Sequence, residues 1–242
     1  MMVTGQTHIG LVRANNQDAL DYGELGGNAR YAVVCDGMGG ANGGNIASEI
    51  AVGVIGTRIR EAFAVERSGN WAEHMLESAM AAANIGVFDR ALQQPELSGM
   101  GTTVVAAVVC DRTAHISHVG DSRLYLLRGD TLQPVTRDHS VVQEMIESGQ
   151  ITEEQAKSHP RRHFITRALG VTDSESGEYD ELELLPGDRL LLCTDGLINM
   201  VEPQTIRELL GQPAEQSVEA LIQAALDGGG TDNVTVVLMD ID

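Results

Sequence analysis

The chain has 242 residues, 43% of them hydrophobic and 21% charged, and its formal charge is −19. That length suits one sizeable core, so a single domain over 1–242 is expected. An acid excess of this size has the wrong sign for nucleic acid or an anionic membrane as main partner; it fits solubility, or attraction of cations.

The opening "MMVTGQTHIG" has neither a basic stretch nor an apolar one, so no signal peptide is expected there. No apolar run reaches the ~20 residues of a membrane helix, and a cytoplasmic location is expected. Cys35, Cys110 and Cys193 each end an apolar run. Their odd number fits small buried hydrophobes in a reducing compartment. Redox sensing by Cys35 or Cys193 is the alternative, but a reactive thiol needs cationic neighbours and carboxylates surround these.

In chain order, strands are expected at 31–35 ("YAVVC"), 103–110 ("TVVAAVVC"), 115–119, 123–128, 189–194 and 234–239 ("VTVVLM"). Each is a short β-branched or aliphatic run bounded by Gly, Asp or Pro. Between them, Ile46, Ile50, Val54, Ile55, Ile59 and Phe63 place an apolar stripe on a helix from about residue 44. Trp71, Met75, Ala79, Met80, Ala83 and Val87 mark a second helix, and 215–226 a third. The links 120–123 ("GDSR") and 127–135 read as hairpins. Residues 137–180 are more polar and helical in pattern, and read as an inserted flap. Strand clusters alternating with helix pairs favour antiparallel sheets flanked by helices over a doubly wound parallel sheet.

Five acidic residues share one placement. Asp18, Asp36, Asp121, Asp195 and Asp232 each fall at the mouth of a strand. A lone Asp-Gly is usually a hairpin turn. Here Asp36–Gly37 runs into the glycine-rich "MGGANGGNIASEIAV" and then a helix, Asp195–Gly196 precedes "LINMVEPQTIREL", and Asp232 precedes its strand. Hard divalent cations account for the set, because Mg²⁺ and Mn²⁺ take oxygen ligands and need few carboxylates. A glycine after the carboxylate frees a backbone carbonyl to turn towards a metal and keeps space for substrate. The loop matches neither a P-loop nor a dinucleotide fingerprint, and there is no CxxC or HExxH. Arg13, in "GLVRANNQD", is the candidate phosphate binder.

The ordered set "GLVRANNQD", "VVCDGMGGANGG", "GTTVVAAV", "HVGDSRLYLLR", "RDHS", "ITRALG", "GDRLLLCTDGL" and "GGGTDNVTVVL" resembles bacterial type 2C (PPM) metal-dependent protein phosphatases across nearly the whole chain. The resemblance implies an α+β, four-layer α/β/β/α sandwich with an inserted flap. It implies two Mn²⁺ or Mg²⁺ ions and hydrolysis of phosphoserine and phosphothreonine by a metal-bridged hydroxide. Asp36 matches the bridging carboxylate, Gly37 a carbonyl ligand, and Asp195 and Asp232 ligands of the other metal. Asp121 resembles the ligand of a third, weaker ion shared with Asp195. Asp18 and Asn233 are expected behind the ligands, and Arg13 on the phosphate. Phosphorylated proteins are the implied substrates, a Ser/Thr kinase the implied opponent, and a monomer the expected state.

One departure bears on mechanism. Met38 and Ala41 stand where relatives keep a histidine able to protonate the leaving group. Neither can donate a proton. A metal-held water is the favoured acid; His139 and His163 are the side-chain alternatives, and a negligible acid step is the third.

Overall fold

A computed structural model describes residues 1–64 and 69–242, without the side chains of 40–42. Ala41 therefore lies outside the described side chains.

Two antiparallel sheets stack face to face. One runs β1 (Met2–His8), β11 (Val234–Asp240), β10 (Arg189–Cys193), β7 (Arg123–Arg128), β8 (Thr131–Pro134). The other runs β2 (Asp18–Gly26), β3 (Ala29–Met38), β5 (Val104–Cys110), β6 (Thr113–Val119), β9 (Glu178–Glu183), with the two-residue β4 (Gly101–Thr102) against the end of β3. Period-two alternation decides which side chains meet. Ala32 and Val34 of β3 enter the layer between the sheets, beside Leu190 and Leu192 of β10 and Val237 of β11. Val33 and Cys35 face the opposite way, onto α1 (Gly40–Phe63) and α2 (Trp71–Gln93). Leu191 and Cys193 face α7 (Ala214–Asp227), together with the short α5 (Asp195–Ile198) and α6 (Pro203–Leu209). The result is the expected α/β/β/α sandwich.

The strands rich in Val and Leu and the three long helices lie where the patterning puts them. The first α1 turns start earlier than expected, at Gly40. The link at 120–123 does not form a hairpin: β6 pairs with β5 and β9, whereas β7 pairs with β10 and β8. Gly120, at φ 99°, turns the chain from one sheet into the other, a conformation open to glycine. That crossing delivers Asp121 between the sheets. The 127–135 link is a hairpin, with β7 and β8 in register from Arg128↔Thr131. Within 137–180 lie α3 (Val141–Glu147), capped by Ser140, and α4 (Glu153–Lys157), closed by a Thr152/Gln155 capping box. The end of that segment is a strand rather than a helix, since Glu178–Glu183 joins the edge of β6.

All three cysteines are free and buried. Burial, with the neighbouring Asp18 and Asp36, pushes the Cys35 thiol well up. Burial also lifts Cys193 to about 12. Both are protonated at neutral pH, which is the state of a packing residue and not of a redox sensor.

Among the described residues, no helix is long and apolar enough to cross a membrane.

Candidate metal centre

Strand ends from both sheets bring the five aspartates to one edge. Asp18 opens β2 and pairs across it with Asp36 in β3. Asp121 sits in the crossing between sheets, Asp195 opens α5 two residues after the end of β10, and Asp232 stands two residues before β11. They act on one another electrically. Asp36 is pushed well above the ordinary carboxylate range by burial first, then by the charges of Asp18, Asp195, Asp121 and Asp232. Burial is also the main cause at Asp18, lifted to about 7, where hydroxyls of Thr235 and Thr194 pull the other way and Asp195 and Asp232 add to the rise. Asp121 is raised to about 7 by burial, then by Asp195 and Asp138. At Asp195 burial and Asp232 push upward, against a hydrogen bond with Asp36, the charge of His163 and the Asn199 amide.

The hydrogen bonds show what the chain leaves unsatisfied. Asp18 Oδ2 accepts from Thr194 Oγ1 (2.9 Å) and Thr235 Oγ1 (2.7 Å), while its Oδ1 has no partner among the described residues. Asp195 Oδ2 accepts from Asn199 Nδ2 (2.9 Å), and its Oδ1 is likewise buried and unpartnered among the described residues. Orphaned buried carboxylate oxygens are costly unless something positive meets them. Among the described residues, the one cation in hydrogen-bond contact with a member of the cluster is Arg13, 2.7 Å from Asp232 Oδ2. Its guanidinium is held further in its charged form by that hydrogen bond, and by Asp232, Asp36 and Asp195, against some burial. An all-oxygen donor set with too little positive charge fits hard divalent ions such as Mg²⁺ or Mn²⁺. Asp36, Asp195 and Asp232 would hold them, with Asp121 beside Asp195.

The frame behind these groups is largely threonine and asparagine. Asp36 is fixed by its own backbone: its N–H donates to Thr103 Oγ1 (3.1 Å), and its carbonyl accepts from Thr102 Oγ1 (2.9 Å) and Thr103 N (2.8 Å). Thr103 Oγ1 also meets Ser122 Oγ at 2.7 Å, tying Asp36 to the loop of Asp121. Asn233 clamps the Arg13 loop. Its Nδ2 donates to the carbonyls of Ile9 (2.8 Å) and Asn15 (3.0 Å), and its Oδ1 accepts from Gln17 N (2.8 Å). The roles of Thr103, Thr194 and Thr235 were not anticipated from sequence. The available signal was a hydroxyl within three residues of a site aspartate, as in "CTDG" and "DNVT".

The glycines are explained differently from the expectation that they keep space for substrate. A Cβ on Gly37 would lie 1.9 Å from the Gly44 carbonyl oxygen, and one on Gly43 would lie 2.9 Å from Met100 Cβ. They permit α1 to press against the end of β3 and the Met100 turn, so the space is filled by backbone. At Gly196 a Cβ would meet the Asn233 carbonyl at 1.8 Å, which is why glycine follows Asp195. Met38 pairs with Gly101, and its Cε lies 3.1 Å from where a Gly101 Cβ would be; it packs on β4.

His139 is occupied elsewhere. Gly120 N–H donates to its Nδ1 (3.0 Å), so Nε2 carries the proton and faces Glu178 (3.2 Å) and Arg167 (3.1 Å). Its ring stacks on His118 at 4.7 Å, and His118 Nε2 donates to the Arg137 carbonyl (2.7 Å). His118, His139 and Glu178 bring ligand-type atoms within 4.8 Å of one another. The Arg167 guanidinium and the protonated Nε2 fill that space, which opposes a metal there. Both ring nitrogens of His139 are therefore engaged as a structural pin.

The Protein phosphatase 2C family profile matches residues 4–230. This chain belongs to that family. It is 39% identical over 233 residues to the serine/threonine protein phosphatase PstP of Mycobacterium tuberculosis, covering 96% of this chain and 43% of the relative. It is 35% identical over 247 residues to the protein phosphatase PhpP of Streptococcus pneumoniae, covering 100% and 98% of the two chains. So the chain spans under half of the first phosphatase and nearly all of the second. A solved structure of the PstP catalytic domain with two manganese ions superposes with a TM-score of 0.86 at 36% identity, over 100% of this chain and 98% of that one. Its sandwich is the type 2C fold described above.

Proposed function

We propose that this chain is a metal-dependent phosphatase of phosphoserine and phosphothreonine in proteins, opposing a Ser/Thr kinase and working as a monomer. The observation that carries this reading is the cluster of buried, mutually repelling aspartates in which Asp18 Oδ1 and Asp195 Oδ1 lack partners among the described residues. Two Mn²⁺ or Mg²⁺ ions held by Asp36, Gly37, Asp195 and Asp232 would neutralise phosphoryl charge and activate water for in-line attack. The residues of the chain then have separable tasks. Arg13, half exposed at the rim, exchanges Asp232 for the phosphate oxygens of the substrate. Asp18, fixed by two threonine hydroxyls, orients water from behind the ligands. Asp121 offers a weaker third ion position beside Asp195, and residues 137–180 act as the flap that meets the substrate protein.

The test is hydrolysis of a phosphothreonine peptide and of a nucleotide, with EDTA and then with Mn²⁺ restored. Loss and recovery on the peptide, at rates well above the nucleotide, is the expected result. Peptide turnover that ignores EDTA would remove the metal mechanism, and faster nucleotide turnover would reassign the substrate class.

A further inference from the structure

Strand β3 keeps one register past the cluster. Val34 stands opposite Val105 of β5 and Gly37 opposite Thr102 of β4, which sets Asp36 opposite Thr103. In an antiparallel ladder, a directly bonded pair exchanges two backbone hydrogen bonds. Here Thr103 N–H donates to the Asp36 carbonyl (2.8 Å), but the return bond is rerouted. Asp36 N–H donates to the Thr103 hydroxyl (3.1 Å), and the Thr103 carbonyl accepts instead from Thr102 Oγ1 (2.9 Å). The exchange matters chemically, because a carbonyl only accepts whereas a hydroxyl accepts and donates. The Thr103 hydroxyl therefore continues outward, to Ser122 Oγ at 2.7 Å, with both side chains buried.

Ser122 follows Asp121, and Thr103 also meets the residue before it. A Cβ on Gly120 would lie 2.6 Å from Thr103 Cγ2. One threonine thus holds the backbone of Asp36 and brackets Asp121 from both sides. The flanks of the same crossing are braced as well. His139 exchanges two hydrogen bonds with Gly120 (2.9 and 3.0 Å), and Arg123 forks onto Asp138 from Nε and Nη2, each at 2.7 Å. Thr103 is where this braced crossing meets the end of β3.

We propose that Thr103 is a positioning residue whose hydroxyl holds Asp36 and the Asp121 crossing in one geometry, setting cation affinity at both. The assignment rests on the metal reading above. Asp121 lies two residues beyond β6, outside its ladder, so backbone pairing does not fix its distance from Asp36. Asp121 also adds to the repulsion on Asp36. The link through Thr103 opposes that repulsion and keeps both carboxylates within reach of the cations they serve. Groups that hold metal ligands from behind typically cost about 10–100-fold in affinity when removed.

The experiment follows free Mn²⁺ by electron paramagnetic resonance during titration of the wild type, Thr103→Val, Thr103→Ser, Ser122→Ala and the Thr103→Val/Ser122→Ala double variant. Asp121→Asn marks which class of ions is the weaker one. Thr103→Val keeps the bulk and removes the hydroxyl, so both classes should weaken by about tenfold or more. Ser122→Ala leaves Asp36 N–H bonded and should weaken the Asp121 class alone. Thr103→Ser should restore both. At the Asp121 class the double variant should bind no worse than Thr103→Val, because the two substitutions break one bond. Melts of the metal-free chains separate this from general loosening. A lower melting temperature with an unchanged isotherm overturns the assignment, as does a Thr103→Ser as weak as Thr103→Val. If Thr103→Val does not fold, Ser122→Ala decides by itself, since loss at both classes or at neither contradicts the link. A wild type without the Asp121 class removes the joint role. A wild type that binds no Mn²⁺ fails the metal reading itself and takes this one with it; a wild type that binds both classes, with variants unchanged, removes Thr103 alone.

Discussion

One strand, β10, carries an aspartate beyond each end, and the two live opposite lives. Asp188, before it, is 2% exposed and fully partnered. Arg128 donates to it from Nε (3.0 Å) and Nη2 (2.6 Å), and Leu185 N–H donates at 2.8 Å. Burial pushes its acidity one way, but the arginine and the backbone outweigh it and hold Asp188 below the ordinary range. Asp195, after the strand, has a buried Oδ1 with no hydrogen-bond partner among the described residues and is raised by burial and Asp232. A carboxylate that serves the fold finds its counter-charge inside the chain. One that serves a ligand is left for the ligand to complete.

The strongest way to break that contrast is to neutralise members of the cluster. Asp36→Asn should lower phosphopeptide turnover by about 10³-fold or more, since the shared ligand is removed. Near-normal turnover would remove the metal reading. The next test sets the two strand ends against each other. Asp195→Asn should also abolish activity, yet raise the melting temperature of the metal-free chain, because the amide imitates the neutral form that burial favours. Asp188→Asn should do the reverse. Activity per folded molecule stays, while the Leu185 N–H faces a poorer acceptor and stability drops by about 1–3 kcal/mol. If both variants lost stability alike, the distinction between the two ends would fail.

The same contrast sets the sign of a pH effect, measured by thermal melts in EDTA. Asp18 moves from 3.8 to about 7 on folding. Its protonation stabilises the folded chain fully below the ordinary value, and that stability is lost as pH rises towards about 7. Asp121 behaves alike over the same window. Asp188, shifted downward, contributes above the ordinary carboxylate range and loses that contribution in acid. The metal-free protein should therefore weaken between about pH 4 and about pH 7, and Mn²⁺ at about 100 times its Kd should return roughly 2.7 kcal/mol at neutral pH. A metal-free melt that strengthens over that window would contradict the repulsive cluster.

How much of this was legible beforehand follows from what local sequence can encode. The aliphatic strands and long helices were, because β-branched runs and helical spacing report burial directly. β2 ("DALDYGELG") and β9 ("EYDELE") were not, as their burial is patchy and their residues are poor strand formers. They are strands because β3 and β6 offer ladders to pair with. The site aspartates stood out by recurring at strand ends, with glycine beside Asp36, Asp121 and Asp195. Their supports did not, since the threonines on Asp18 lie 176 and 217 residues away in the chain. The crossing at Gly120 was misread because "GDSR" has turn chemistry, and turn chemistry alone cannot say which sheet the next strand joins.

The smallest expected effect separates recognition from chemistry at the rim. Arg13 is half exposed, and its partner Asp232 belongs to the cluster. An exposed ion pair of this kind adds under about 1 kcal/mol to stability, so Arg13→Ala should melt close to the wild type. Its two-pronged guanidinium meets phosphate in the ground state and in the transition state alike. Losing it should therefore raise KM by about tenfold or more while kcat changes little. Arg13→Lys should recover part of the binding, as a point charge without the fork. If kcat fell instead with KM unchanged, Arg13 would be grasping charge that develops only during the reaction. The line between a rim that recognises and a cluster that reacts would then have to be drawn outside Arg13.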